Sequence, residues 1–126
     1  MAMPAVFYVD DSRDDLVYLK YVCRKNSGDI DLHCFSTADE AMSALETLHA
    51  EGQTLPQCLV VDLYMPFDNG LALIATLRAD ARFSSMRLGV CSGSDAVIDR
   101  QRALASGADF YLEKPLDLGA VMERLQ

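Results

Sequence analysis

A chain of 126 residues, 51% hydrophobic and 24% charged, has the length of one domain and enough apolar material to bury a core without metal or disulfide staples. Its 11 basic and 19 acidic residues leave a net charge of −8 with no basic stripe, which argues against direct binding of a nucleic-acid backbone. The apolar runs are strand-sized, far short of the ~20 residues of a membrane span, and no charged-then-apolar leader opens the chain, so a cytoplasmic protein is expected. Cys23, Cys34, Cys58 and Cys91 stand apart, mostly within apolar runs, and read as small core residues in a reducing compartment.

The elements follow in order. Ala5 to Val9 is a buried strand ending in Asp10-Asp11. Ser12 is placed to cap a helix, with Asp14 and Asp15 at the positive end of its dipole. Leu16, Leu19, Val22 and Cys23 form its inner stripe, and Asn26-Ser27-Gly28 stops it. Ile30, Leu32, Cys34 and Phe35 make a weaker second strand. Thr37-Ala38-Asp39-Glu40 then has the form of a capping box ahead of a helix striped by Ala38, Ala41, Met42, Leu45 and Leu48.

Cys58-Leu59-Val60-Val61 runs straight into Asp62, the pattern of a strand buried on both faces with a carboxylate at its C-terminal end. Pro66 and Asp68-Asn69-Gly70 supply turn chemistry before a third helix marked by Leu71, Ile74 and Leu77. Leu88 to Ser92 is a fourth strand. The helix behind it is read with Val97, Gln101 and Leu104 inward, with Asp99, Arg100 and Arg102 as a solvated face, and with Gly107 as its C-terminal cap. Ala108 to Leu112 is a fifth strand, running into Glu113-Lys114-Pro115. A short last helix, capped by Asp117, carries Leu118, Val121, Met122 and Leu125. His33 and His49 read as exposed or structural.

Five alternations of strand and helix predict an α/β domain spanning 1–126, a doubly wound parallel sheet of flavodoxin-like (βα)5 type with strand order 2-1-3-4-5. In that order the C-terminal ends of strands 1, 3, 4 and 5 are contiguous. They bring Asp10, Asp11, Asp62, Ser92 and Lys114 to one rim, beside the switch point where open α/β sheets bind ligands. Three carboxylates so close need a cation, and oxygen-only donors select a hard ion, Mg²⁺ before Ca²⁺. The lack of His or Cys at the rim argues against zinc. A divalent ion, a lysine and a hydroxyl together make a clamp for a phosphoryl group's oxygens, with Asp62 as the nucleophile that becomes an aspartyl phosphate.

The acidic pair Asp10-Asp11, the Asp62-x-x-Met65-Pro66 run with Gly70, Ser92 followed by a small residue, and Lys114-Pro115 resemble, in order and spacing, the receiver domains of two-component response regulators, the family of the single-domain chemotaxis regulator. That regulator is itself a standard instance of the 2-1-3-4-5 order. The resemblance implies that Asp62 accepts a phosphoryl group from a histidine kinase or a histidine phosphotransfer protein. It implies that Asp10, Asp11, Asp62 and the backbone carbonyl of Tyr64 hold Mg²⁺, with Asp10 acting partly through water. It also implies that Lys114 pairs with the phosphoryl oxygens across a cis Lys114–Pro115 bond, and that Ser92 swings inward.

The resemblance further implies that Tyr111 is the switch aromatic, coupling the site to a face of helix 4, strand 5 and helix 5 that is a candidate surface for an output protein or a second copy. The domain then catalyses only its own phosphorylation and slow dephosphorylation and is not otherwise an enzyme.

Two departures from the family pattern concern the site. Ser92 stands where Thr is commoner, and Tyr64 is bulky where polar residues are usual, which implies a shielded acyl phosphate. The last helix is also short, since few residues follow Pro115. A hydrolase working through an aspartyl phosphate needs a further acid or base and a substrate pocket, and neither is visible. The alternative is a receiver-like interaction module that acts without phosphorylation, against which the intact Asp10, Asp11, Asp62, Ser92 and Lys114 weigh.

Overall fold

The computed structural model describes residues 4–25, 30–65 and 69–125. Ten elements alternate along the chain: β1 (Ala5–Val9), α1 (Arg13–Lys25), β2 (Asp31–Phe35), α2 (Ala38–Ala50), β3 (Cys58–Asp62), α3 (Gly70–Ala79), β4 (Arg87–Ser92), α4 (Val97–Ala105), β5 (Phe110–Glu113) and α5 (Leu118–Arg124). The strands form one parallel sheet in the order β2-β1-β3-β4-β5, the expected flavodoxin-like arrangement. Because β3 is central and covered on both sides, every residue from Cys58 to Asp62 is buried. That is why its sequence is continuously apolar rather than alternating.

Alternation along the strands sorts the side chains into two cores. Phe7, Val9, Leu59, Val61, Leu88, Val90 and Tyr111 pack with α2, α3 and Ala103 of α4. Val6, Tyr8, Cys58, Val60, Cys91 and Phe110 pack on the other face with Leu19 of α1 and Val121 of α5. The parity carries to the rim. Asp10, Asp62 and Lys114 continue the α1/α5 series, whereas Ser92 and Tyr111 belong to the α2–α4 series.

Local chemistry fixes the helix starts. The Ser12, Thr37, Asn69 and Asp117 side chains each accept a hydrogen bond from a backbone N–H of the first turn they cap, at 2.9–3.3 Å. Gly70, the first residue of α3, is needed for close approach. A Cβ there would lie 2.8 Å from the Asp62 carbonyl oxygen and 2.9 Å from the Val61 side chain. Gly107 closes α4 at φ +112°, a conformation that favours glycine. The expected stop at Asn26-Ser27-Gly28 and the turn at Pro66 and Asp68 lie outside the described residues.

The inner face of α4 differs from the sequence reading. Val97 is 67% and Leu104 48% exposed, Gln101 faces solvent, and the buried residues are Asp99 and Ala103. Asp99 and Ala103 stand one turn apart on the same face, and the small Ala103 joins the core that includes Ala108 and Tyr111. The bulkier apolar residues are turned outward, and Asp99, read as solvated, is 5% exposed. All four cysteines are free thiols, with Cys58 and Cys91 buried and Cys23 and Cys34 half-buried. His33 is exposed, as read, and its Nε2 lies 3.1 Å from Asp31 Oδ2.

Candidate functional site

The rim at the C-terminal ends of β1, β3, β4 and β5 gathers the residues singled out from the sequence. Oxygens of Asp10, Asp11 and Asp62 lie within 4.8 Å of one another. Asp10 and Asp62 are buried and Asp11 is exposed, so the cluster opens to solvent on one side. Lys114 reaches in with Nζ 3.0 Å from Asp10 Oδ2 and 3.2 Å from Asp62 Oδ2. The Lys114–Pro115 peptide is cis. Ser92 is fully buried, its Oγ accepting the Ser94 N–H at 3.1 Å. Tyr111 is buried as well, and its hydroxyl donates to the Ser94 carbonyl at 2.5 Å. The Tyr64 N–H turns back onto Asp62 Oδ1 at 3.3 Å.

Three partners of this cluster were not read from the sequence as site residues. Tyr8 donates its hydroxyl to Asp10 Oδ2 at 2.7 Å. The strand period, which puts residues two apart on one face, is the signal that could have found it. Asp15, taken only as a complement to the helix dipole, is 2.6 Å from Lys114 Nζ. That contact depends on α1 lying on the same face of the sheet as the lysine, which no local pattern encodes. Asp99 accepts the Tyr64 hydroxyl at 2.6 Å across 35 positions of chain.

The electrostatics follow from this crowding. Burial disfavours charge on Asp10, yet the Tyr8 hydroxyl, the Ser12 N–H and Lys114 outweigh it and hold the carboxyl below the usual carboxylate range. Asp62 is pushed the other way, to about 6, by burial and then by the Asp10 charge, with Lys114 and the Tyr64 N–H only partly opposing. Burial also works against charge on Lys114, but Asp15, Asp10 and Asp62 keep its ammonium above the usual lysine range. Tyr8 is raised in turn, by burial first and then by neighbouring negative groups.

The donor set fits a divalent hard cation. Carboxylate oxygens alone converge within reach of a single ion, the cluster is open on the Asp11 side, and one lysine does not neutralise three acids together with Asp15. A carboxylate whose neighbours hold a cation and a lysine beside it is also equipped to receive a phosphoryl group.

A parallel β2-β1-β3-β4-β5 sheet with an acidic triad facing a lysine at its rim defines a receiver domain. The family model for the response regulator receiver domain matches residues 6–126, and the chain belongs to that family. Domains of this kind are signalling modules of two-component systems.

Among relatives, the transcriptional regulatory protein PrrA of Mycobacterium bovis is 32% identical over 123 residues, covering 98% of this chain and 48% of that protein. The PrrA protein of Mycobacterium leprae is 29% identical over 126 residues, 100% of this chain and 50% of that protein. The chain thus spans about half the length of these curated relatives. A crystal structure of a putative response regulator from Chloroflexus aurantiacus superposes with a TM-score of 0.80 at 18% identity, covering 98% of this chain and 95% of that one. A response regulator from Burkholderia pseudomallei, solved with a phosphorylated aspartic acid, a calcium ion and citrate, gives 0.71 at 25% identity, with 98% and 66% covered. Among the described residues no helix is long and apolar enough to cross a membrane.

Proposed function

We propose that this domain is a phosphorylation switch in which Asp62 accepts a phosphoryl group from a phosphohistidine of a histidine kinase or a histidine phosphotransfer protein. The observation that carries the reading is the convergence of Asp10, Asp11 and Asp62 with the Lys114 ammonium 3.2 Å from the acceptor carboxylate. Asp10, Asp11, Asp62 and the Tyr64 backbone carbonyl would hold Mg²⁺, which would supply positive charge beside the phosphoryl oxygens and the acceptor. An Asp62 oxygen attacks phosphorus, the P–N bond to the donor imidazole breaks, and the imidazole nitrogen leaves and takes up a proton.

The chain's own groups do the rest. Lys114 donates to a phosphoryl oxygen, which adds negative charge where three acids already hold the ammonium. Ser92 gives up the Ser94 N–H and turns its hydroxyl to another phosphoryl oxygen. That movement disturbs Ser94, to which Tyr111 is bonded, and so reaches the face of α4, β5 and α5. An output protein or a second copy binds that face.

The testing experiment is intact mass after incubation with acetyl phosphate. One added phosphoryl group in Mg²⁺ and none in EDTA is the expected result. No adduct in either condition favours a module that binds partners without phosphorylation.

A further inference from the structure

We infer that Asp99 is a positioning residue for the acceptor: by accepting the Tyr64 hydroxyl it holds that ring between the Asp62 end of the rim and α4, so that phosphoryl entry and loss depend on α4. This rests on the acceptor role proposed for Asp62.

Asp99 is a carboxylate 5% exposed, on the inner face of α4, and no step of the phosphoryl chemistry uses it. A buried carboxylate is costly unless hydrogen-bonded. Asp99 is bonded by the Tyr64 hydroxyl at 2.6 Å, with Arg102 Nη1 3.6 Å away. The same bond raises the proton affinity of the Tyr64 phenol.

Tyr64 stands two residues beyond Asp62. Its N–H is on the acceptor carboxylate, while its hydroxyl is on a helix that follows the neighbouring strand. β3 and β4 pair with Asp62 opposite Cys91, so Ser92 is the next residue along β4. A side chain that starts past the end of β3 and finishes on α4 therefore runs from the Asp62 end of the rim toward the β4 side, where Ser92 stands.

Tyr64 is 56% exposed, so the bond at its tip is a hold on the ring that burial alone does not supply. Ser94 links this anchor to the switch. Its N–H is on Ser92 Oγ, its carbonyl accepts from Tyr111, and its side chain accepts the Ala96 N–H at the start of α4. A displacement of Ser92 toward a phosphoryl group thus reaches, through Ser94 and Ala96, the start of the helix that carries Asp99, and a partner that moves α4 moves the ring.

The test compares the parent with Tyr64→Phe, Asp99→Ala, Asp99→Asn and the Tyr64→Phe/Asp99→Ala double variant. Each is phosphorylated with acetyl phosphate in Mg²⁺, freed of donor, and followed by intact mass as the group is lost. Loss of the anchor speeds release at least about threefold in Tyr64→Phe and in Asp99→Ala, the low end of what a typical hydrogen bond contributes net. The double variant is no faster than the faster single one. Asp99→Asn, whose amide oxygen still accepts from the phenol, stays near the parent rate, which a purely structural role for the carboxylate does not require.

Should Asp99→Ala fail to fold, Tyr64→Phe removes the same bond from the exposed side and decides alone. A phosphorylated parent whose lifetime matches that of Tyr64→Phe overturns the inference while leaving Asp62 as acceptor, and additive effects in the double variant overturn it too. A parent that takes no phosphoryl group overturns the acceptor reading itself, and this inference with it.

Discussion

Replacing Asp62 with asparagine should stabilise the metal-free protein while removing its response to Mg²⁺. Asp62 is 5% exposed, oxygens of Asp10 and Asp11 lie within 4.8 Å, and Lys114 Nζ stands at 3.2 Å. At an effective dielectric of about 20, each carboxylate pair at that separation repels by about 3 kcal/mol and the lysine returns about 5. The Coulombic sum is therefore slightly unfavourable before burial is counted. A carboxyl pushed up from its ordinary 3.8 to about 6 agrees in sign, and by the same measure the charged form is disfavoured by about 3 kcal/mol at neutral pH.

Asparagine keeps the shape of the side chain and an acceptor for the Tyr64 N–H, and Lys114 retains Asp10 and Asp15. We therefore expect Asp62→Asn to unfold about 1–3 kcal/mol later than the parent in EDTA at pH 7. The assay is urea unfolding followed by circular dichroism, with EDTA and with millimolar Mg²⁺. Mg²⁺ should stabilise the parent by linkage and the variant far less. A variant less stable than the parent in EDTA, or an equal Mg²⁺ response in both proteins, refutes the electrostatic argument.

The other expectations use the same groups. The folded value of Asp62 is raised, so the native state holds more protons than the unfolded chain between about pH 4 and 6. This group therefore adds stability as pH falls through 6, and in EDTA melts the parent should gain on Asp62→Asn between pH 7 and 5. Lys114→Ala leaves Asp10 and Asp62 without their common cation and should cost about 3–5 kcal/mol in EDTA, with part restored by Mg²⁺; unfolding in urea measures both. Tyr8→Phe removes the hydroxyl on Asp10 and should cost about 1–3 kcal/mol, read in the same melts. Gly70→Ala places a Cβ against the Asp62 carbonyl and Val61, and should lower both melting temperature and phosphorylation rate.

Much of this was legible in the sequence because a parallel sheet announces itself. Strands covered on both faces must be continuously apolar, so Cys58 to Asp62 and Leu88 to Ser92 stood out, and their polar last residues marked the rim. What the sequence hid was rotation and reach. A nine-residue helix gives too few turns for a stripe of Val97, Gln101 and Leu104 to outweigh the close approach that Ala103 permits, and the helix sits with Asp99 inward. Asp15 meets Lys114 across 99 positions of chain, and Tyr64 meets Asp99 across 35. Neither pairing has a local signal, because each depends on which face of the sheet a helix covers. Tyr8 differs, since it lies two residues before Asp10 on one strand face and its bond to the acid follows from the pleat.

The most direct test of the account is chemical mapping of the acceptor. The protein is treated with acetyl phosphate in Mg²⁺, reduced with borohydride, which converts an aspartyl phosphate to homoserine, digested, and sequenced by mass spectrometry. The account predicts homoserine at position 62, absent when EDTA replaces Mg²⁺ and absent in Asp62→Asn. Homoserine at position 10 or 11 instead, or at no position while intact mass shows no adduct, contradicts Asp62 as the phosphoacceptor.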